Sequence, residues 1–87
     1  MLEIDPADLG TLELAGAWVP YIDLGEGGFL PTRVKIVNDE YAFRQSFNIQ
    51  GHSAVMPQAI RDLRAGGKKP VVIERGDRYY VFVSPPA

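Results

Sequence analysis

The chain has no cysteine, one histidine and one tryptophan among its 87 residues. Without cysteine it can form no disulfide, no thiolate metal site and no thiol nucleophile. With His52 as the sole imidazole, carboxylates are the main ligands left for a metal, and their spacing is not that of a calcium loop. Long apolar runs are missing as well, since no stretch approaches the ~20 residues that cross a bilayer. The start, Met1-Leu2-Glu3-Ile4-Asp5-Pro6, has neither the basic opening nor the apolar run of a secretory signal. A cytoplasmic protein that does not contact membranes is the expectation.

What remains has the composition of a globular chain, 46% hydrophobic and 23% charged with a net charge of −2. A single domain over residues 1–87 fits that length, which allows one core burying roughly 60–65% of the unfolded surface. The charges are divided along the chain. Glu3, Asp5, Asp8, Glu13, Asp23 and Glu26 precede the first basic residue, Arg33. Six bases, Arg61, Arg64, Lys68, Lys69, Arg75 and Arg78, dominate the end. Such a division points to internal complementarity or to two faces with different partners, the first being the plainer account.

Asp5-Pro6-Ala7-Asp8-Leu9-Gly10 reads as one helical turn, with Asp5 as cap and Pro6 at the first position. Thr11 to Leu24, broken by Gly16 and Pro20, reads as one or two short strands. Gly25-Glu26-Gly27-Gly28 is a loop, because Phe29-Leu30-Pro31 starts no helix and Glu26 would repel a phosphate. Arg33 to Val37 alternates as a strand, and Asn38-Asp39-Glu40 turns the chain. Tyr41, Phe43, Gln45, Phe47 and Ile49 then alternate with polar partners, which predicts one apolar strand face. Met56, Ile60 and Leu63 recur at helical spacing, predicting a helix from Ser53 to Ala65 closed by Gly66-Gly67. Val71 to Arg75 and Arg78 to Val83 flank Gly76-Asp77, a two-residue hairpin turn. In that register Val71 faces Phe82 and Ile73 faces Tyr80, while Val72 and Glu74 face Val81 and Tyr79 on the other side. The predicted fold is α+β, a small antiparallel sheet of four to five strands packed by one main helix.

No catalytic constellation emerges. His52 and Ser53 are adjacent, and a nucleophile–base pair needs a geometry that neighbours at a helix start rarely reach. Ser53 as a helix cap and His52 as a loop residue is the preferred reading. No cofactor or metal is expected. Trp18, Tyr21, Tyr79 and Tyr80 are candidates for a recognition surface, since aromatics with a polar tip are enriched at binding hot spots. The basic set, placed together, would make a cationic patch suited to phosphates or an acidic protein.

The stretch Ala59-Ile60-Arg61-Asp62-Leu63-Arg64-Ala65-Gly66, Pro70-Val71-Val72-Ile73-Glu74-Arg75-Gly76 and Tyr80-Val81-Phe82-Val83-Ser84 resembles the helix-then-hairpin of the Phd/YefM antitoxins. In that family the unit opens the protein and a toxin-binding tail follows, whereas here it closes the chain. The resemblance implies an antitoxin-like regulator associated with nucleic acid. The residues themselves favour a non-enzymatic protein-binding module: an accessory, inhibitor or adaptor protein, prokaryotic or phage-encoded. Its partner-binding candidates are Arg61, Arg64, Lys68, Lys69, Arg75, Arg78 and Tyr79. A protein partner is expected, nucleic acid is the alternative and a homodimer is left open. A small enzyme using carboxylates and His52 ranks third.

Overall fold

The computed structural model describes residues 1–26, 29–51 and 55–86. Its elements are β1 (Leu2–Ile4), β2 (Gly10–Leu14), β3 (Ala17–Asp23), β4 (Arg33–Ile36), β5 (Asp39–Asn48), α1 (Val55–Ala65), β6 (Lys69–Arg75) and β7 (Arg78–Ser84). All seven strands join one sheet in the order β1-β4-β5-β7-β6-β3-β2. The β1–β4 and β3–β6 pairs are parallel and the other pairs are antiparallel. The expected antiparallel sheet of four to five strands is therefore corrected to a mixed sheet of seven. Leu2–Ile4 is too short to display a period, and parallel pairs form between strands distant in sequence, where no turn residue announces them.

Local chemistry accounts for most of the elements. Asp5 caps a 3₁₀ turn at Pro6–Asp8 by accepting from the Ala7 amide at 2.9 Å. β2 and β3 are joined by Ala15 and Gly16, both at positive φ (50° and 87°), as a type I′ hairpin turn requires. Pro20 lies inside β3, but pairing with β6 begins only at Tyr21, so the missing N–H costs no bond there. The helix buries Met56, Pro57 and Ile60 and ends in a Schellman closure. Gly67 takes φ 81°, its amide donates to Arg64 O and the Lys68 amide donates to Leu63 O. The expected start of this helix at Ser53, with its cap, falls outside the described residues, as does His52.

The single apolar face expected for β5 does not form. The register slips between Phe43 and Gln45, leaving Arg44 as the extra residue of a bulge. One inserted residue reverses the parity of a strand, so Tyr41 packs with one core cluster while Phe47 and Ile49 pack with the other.

The two clusters lie on opposite faces of the sheet. Beneath α1, Met56 and Ile60 meet Leu14, Val19, Val72, Tyr79, Val81 and Val83. On the other face Ile4, Val34, Ile36, Val71, Ile73 and Phe82 form a core without a helix. Curvature covers this second face. Laid flat, seven strands would put β1 and β2 about 29 Å apart at ~4.8 Å per step. The link between them, residues 5–9, spans at most about 20 Å, and less where it coils into the 3₁₀ turn. The sheet must therefore curl, and Leu9 from that link packs into the inner cluster.

Two turns make opposite use of the backbone. Gly76 opens the β6–β7 turn at φ 63°, which glycine adopts freely. Val37, in the β4–β5 turn, takes φ 57° despite its branched side chain. Gly76→Val should lower stability by about 1–2 kcal/mol from backbone strain alone, since an added Cβ would meet nothing within 4 Å. Val37→Asn should raise it by about 1 kcal/mol, because asparagine tolerates this region. Thermal melts of the two variants moving in opposite directions would bear this out, and two unchanged melts would refute it.

Candidate functional site

A groove lies next to the bulge that splits β5. Beside it the Phe43 amide donates to Thr32 O at 2.8 Å, which ties the segment before β4 along β5. Phe43 stands opposite Phe82 of β7, with ring centroids 5.9 Å apart, and lies 6.1 Å from the Tyr80 ring. The space between the tied segment and these rings is a groove of about 360 Å³ lined by Phe29, Leu30, Phe43, Arg75, Tyr80 and Phe82. Leu30 and Phe82 belong to or pack on the inner core, so the groove is a mouth opening onto it. Phe29 is 89% exposed and Phe43 is 43% exposed, which is unusual for large apolar side chains lining one groove.

The sequence-predicted binding residues are dispersed over the molecule. Arg61 Nη2 donates to Ala15 O at 3.0 Å and Arg64 Nη2 to Trp18 O at 2.5 Å, so both helix arginines hold the β2–β3 hairpin. Lys68 Nζ reaches Pro85 O at 3.1 Å, and Lys69 Nζ pairs with Asp39 Oδ2 at 2.7 Å. That carboxylate holds the exposed Lys69 ammonium above its ordinary pKa. Arg64, Lys68 and Lys69 do come together, around a second hollow of about 260 Å³ with Pro20, Tyr41 and Pro70. Arg75 and Arg78 lie at the other end of the β6–β7 hairpin, six residues along β6 from Lys69 and so about 20 Å away. Arg78 donates to Ser46 Oγ at 3.0 Å from Nη2. Tyr79 is buried in the core beneath the helix.

The other aromatic candidates divide similarly. Trp18 is 61% exposed, and Tyr80 lines the groove. Tyr21 packs edge-on against Tyr79 and donates from its hydroxyl to Glu74 Oε1 at 2.5 Å. Phe29 and Phe43, the groove's exposed rings, were not among the sequence candidates. The Gly-rich loop before Phe29 was a usable signal, but the bulge at Arg44 was not visible. Among the described residues no group of three His, Asp or Glu side chains could hold a metal ion. No helix among them is long and apolar enough to cross a membrane. No protein-family model, curated protein or solved structure matches the chain.

Burial, followed by the Glu74 hydrogen bond, raises the Tyr21 phenol well above its ordinary pKa, and burial likewise raises Tyr79. A raised tyrosine pKa means the folded state holds its proton more tightly. The resulting stability is fully present below the unfolded value near 10 and is lost as pH rises toward the folded one. Denaturant midpoints should therefore fall above about pH 10. Tyr21→Phe should make that alkaline fall shallower, at a cost of about 1 kcal/mol at neutral pH for the lost hydrogen bond. Equal alkaline slopes for parent and variant would rule this out.

Proposed function

We propose that this chain is a small non-enzymatic protein-binding module, and that the groove at Phe29 and Phe43 receives an apolar or aromatic side chain of its partner. The observation that carries this reading is the pair of exposed phenylalanines beside a mouth into the inner core. Each such ring buries roughly 150–250 Å² when covered, and burial of aromatic anchors in pockets dominates the energetics of protein interfaces. Leaving both rings in water is unfavourable for the free protein, and a partner that covers them relieves that cost. One wall is built from β5 and β7, near the centre of the sheet, which gives the groove a rigid support, and the segment before β4 forms the other.

Phe29→Ser combined with Phe43→Ser tests the reading. Phe29 is nearly free of packing, whereas Phe43 rests on Phe82 and Tyr80, so the loss of stability comes mainly from Phe43 and is followed by the melt. A partner isolated with the parent protein should bind the double variant at least about a hundredfold more weakly, as expected for loss of hot-spot residues. Calorimetric titration of that partner decides the matter. Undiminished affinity, with the variant's melt intact, would show that recognition occurs elsewhere.

A further inference from the structure

The second hollow lies at the Lys69 end of the β6–β7 hairpin and adjoins the groove along β5, where Tyr41 lines the one and Phe43 the other, and its chemistry differs. Arg64, Lys68 and Lys69 surround it, with one carboxylate, Asp39, paired to Lys69. Each of these cations has an identified acceptor, and each keeps further N–H donors beyond that bond. Three cations converging on one small space suit a doubly charged phosphate better than a singly charged carboxylate. The remaining lining, Pro20, Tyr41 and Pro70, is largely apolar, which suits the carbon skeleton of an ester rather than a bare ion.

An exposed aromatic residue stands near it. Alternate residues of a strand share a face, so Trp18 and Pro20 project from the same side of β3 about 6.6 Å apart along the strand. Trp18 is exposed, and its carbonyl accepts from Arg64, so the residue lies within reach of one of the three cations. The volume of about 260 Å³ is below the ~300–1,000 Å³ of sites that enclose a drug-sized ligand. A ligand seated by its phosphate would therefore leave its far end outside the hollow, over the indole. Cations that hold a phosphate next to an aromatic face that stacks a base form the elementary unit of nucleotide recognition.

We propose that this end of the molecule is a nucleotide-binding site, with the phosphate held by Arg64, Lys68 and Lys69 and the base stacked on Trp18. The site shares no lining residue with the groove proposed to bind a protein, and the proposal does not rest on that reading. Its ligand is either a free nucleotide or one unit of a single-stranded nucleic acid, since both present the same phosphate and base.

Trp18 is the only tryptophan, so intrinsic fluorescence reports on it directly. The full chain is titrated with thymidine monophosphate, a short oligothymidylate, phenyl phosphate and inorganic phosphate. Thymidine monophosphate or the oligomer should quench Trp18, and inorganic phosphate should reverse the quenching by competition. Lys68→Gln with Lys69→Gln should weaken binding about tenfold or more, as loss of charged hydrogen bonds predicts, with the thermal melt unchanged. If that variant does not fold, phosphate competition on the parent protein decides. Tighter, steeply salt-dependent binding of the oligomer identifies a nucleic-acid strand as the source, and similar affinities identify a free nucleotide. The proposal is overturned by no quenching from either thymidine ligand, by quenching that neither phosphate nor the lysine substitutions affect, or by phenyl phosphate binding as well as the nucleotide.

Discussion

The pairing of β6 with β7 is the interaction on which the rest of the sheet depends. β7 carries β5, and through it β4 and β1, while β6 carries β3 and through it β2. Without this ladder the chain would be two fragments of sheet. Its side chains also form the boundary between the two cores. Val72, Val81 and Val83 face the helix, whereas Val71, Ile73 and Phe82 face the inner cluster. A strand that is apolar on both faces can serve only where both faces are covered, and the centre of a curled sheet provides that. The helix shields the outer face, and the sheet's own curvature, drawn in by the short link between β1 and β2, shields the inner one.

This is also why the hairpin was the most legible part of the sequence. Gly76-Asp77 between two apolar runs fixes a register, and every pair from Val71–Phe82 to Glu74–Tyr79 occurs as that register requires. The helix after Val55 was legible for a similar reason, since Met56, Ile60 and Leu63 repeat at its period and Gly67 closes it. Legibility ended where structure is set by distant partners. Leu2–Ile4 becomes a strand only because β4 offers it an edge. The bulge at Arg44 leaves the alternation of Tyr41 to Ile49 intact in the sequence while reversing its meaning halfway along. That reversal separates Tyr41 and Phe43, on the face of Tyr80 and Phe82, from Phe47 and Ile49, on the face beneath the helix, so the alternation alone misassigns the groove side of the strand.

The uneven distribution of charge has a structural explanation different from the plainer one. Three of the early acids serve the turns next to them. Asp5 accepts from the Ala7 amide, Glu13 from the Gly16 amide and Asp23 from the Gly25 amide. Arg61 and Arg64 meet the early segment through its carbonyls at Ala15 and Trp18. A guanidinium satisfied by a neutral carbonyl keeps its full charge uncompensated, whereas one paired to a carboxylate does not. The helix arginines therefore anchor the β2–β3 hairpin and still contribute positive potential to that end of the molecule.

The result is a division between ends of the hairpin, where the sequence had presented a division between halves of the chain. Lys69 begins β6 beside the cationic hollow, and Arg75 ends it beside the aromatic groove. Their separation of about 20 Å exceeds the Debye length of ~8 Å at physiological ionic strength, so neither end strongly feels the other's charge. Residues that far apart with no shared partner act additively when substituted. The rigid β6–β7 ladder thus holds the two hollows in fixed relation, while Tyr41 and Phe43, two residues apart on one face of β5, bring their nearer walls within about 7 Å of each other. A groove that would seat an apolar side chain and a hollow that would attract an anion then lie next to each other along β5, and Phe43 and Tyr41 are the side chains through which occupancy of one would be felt at the other.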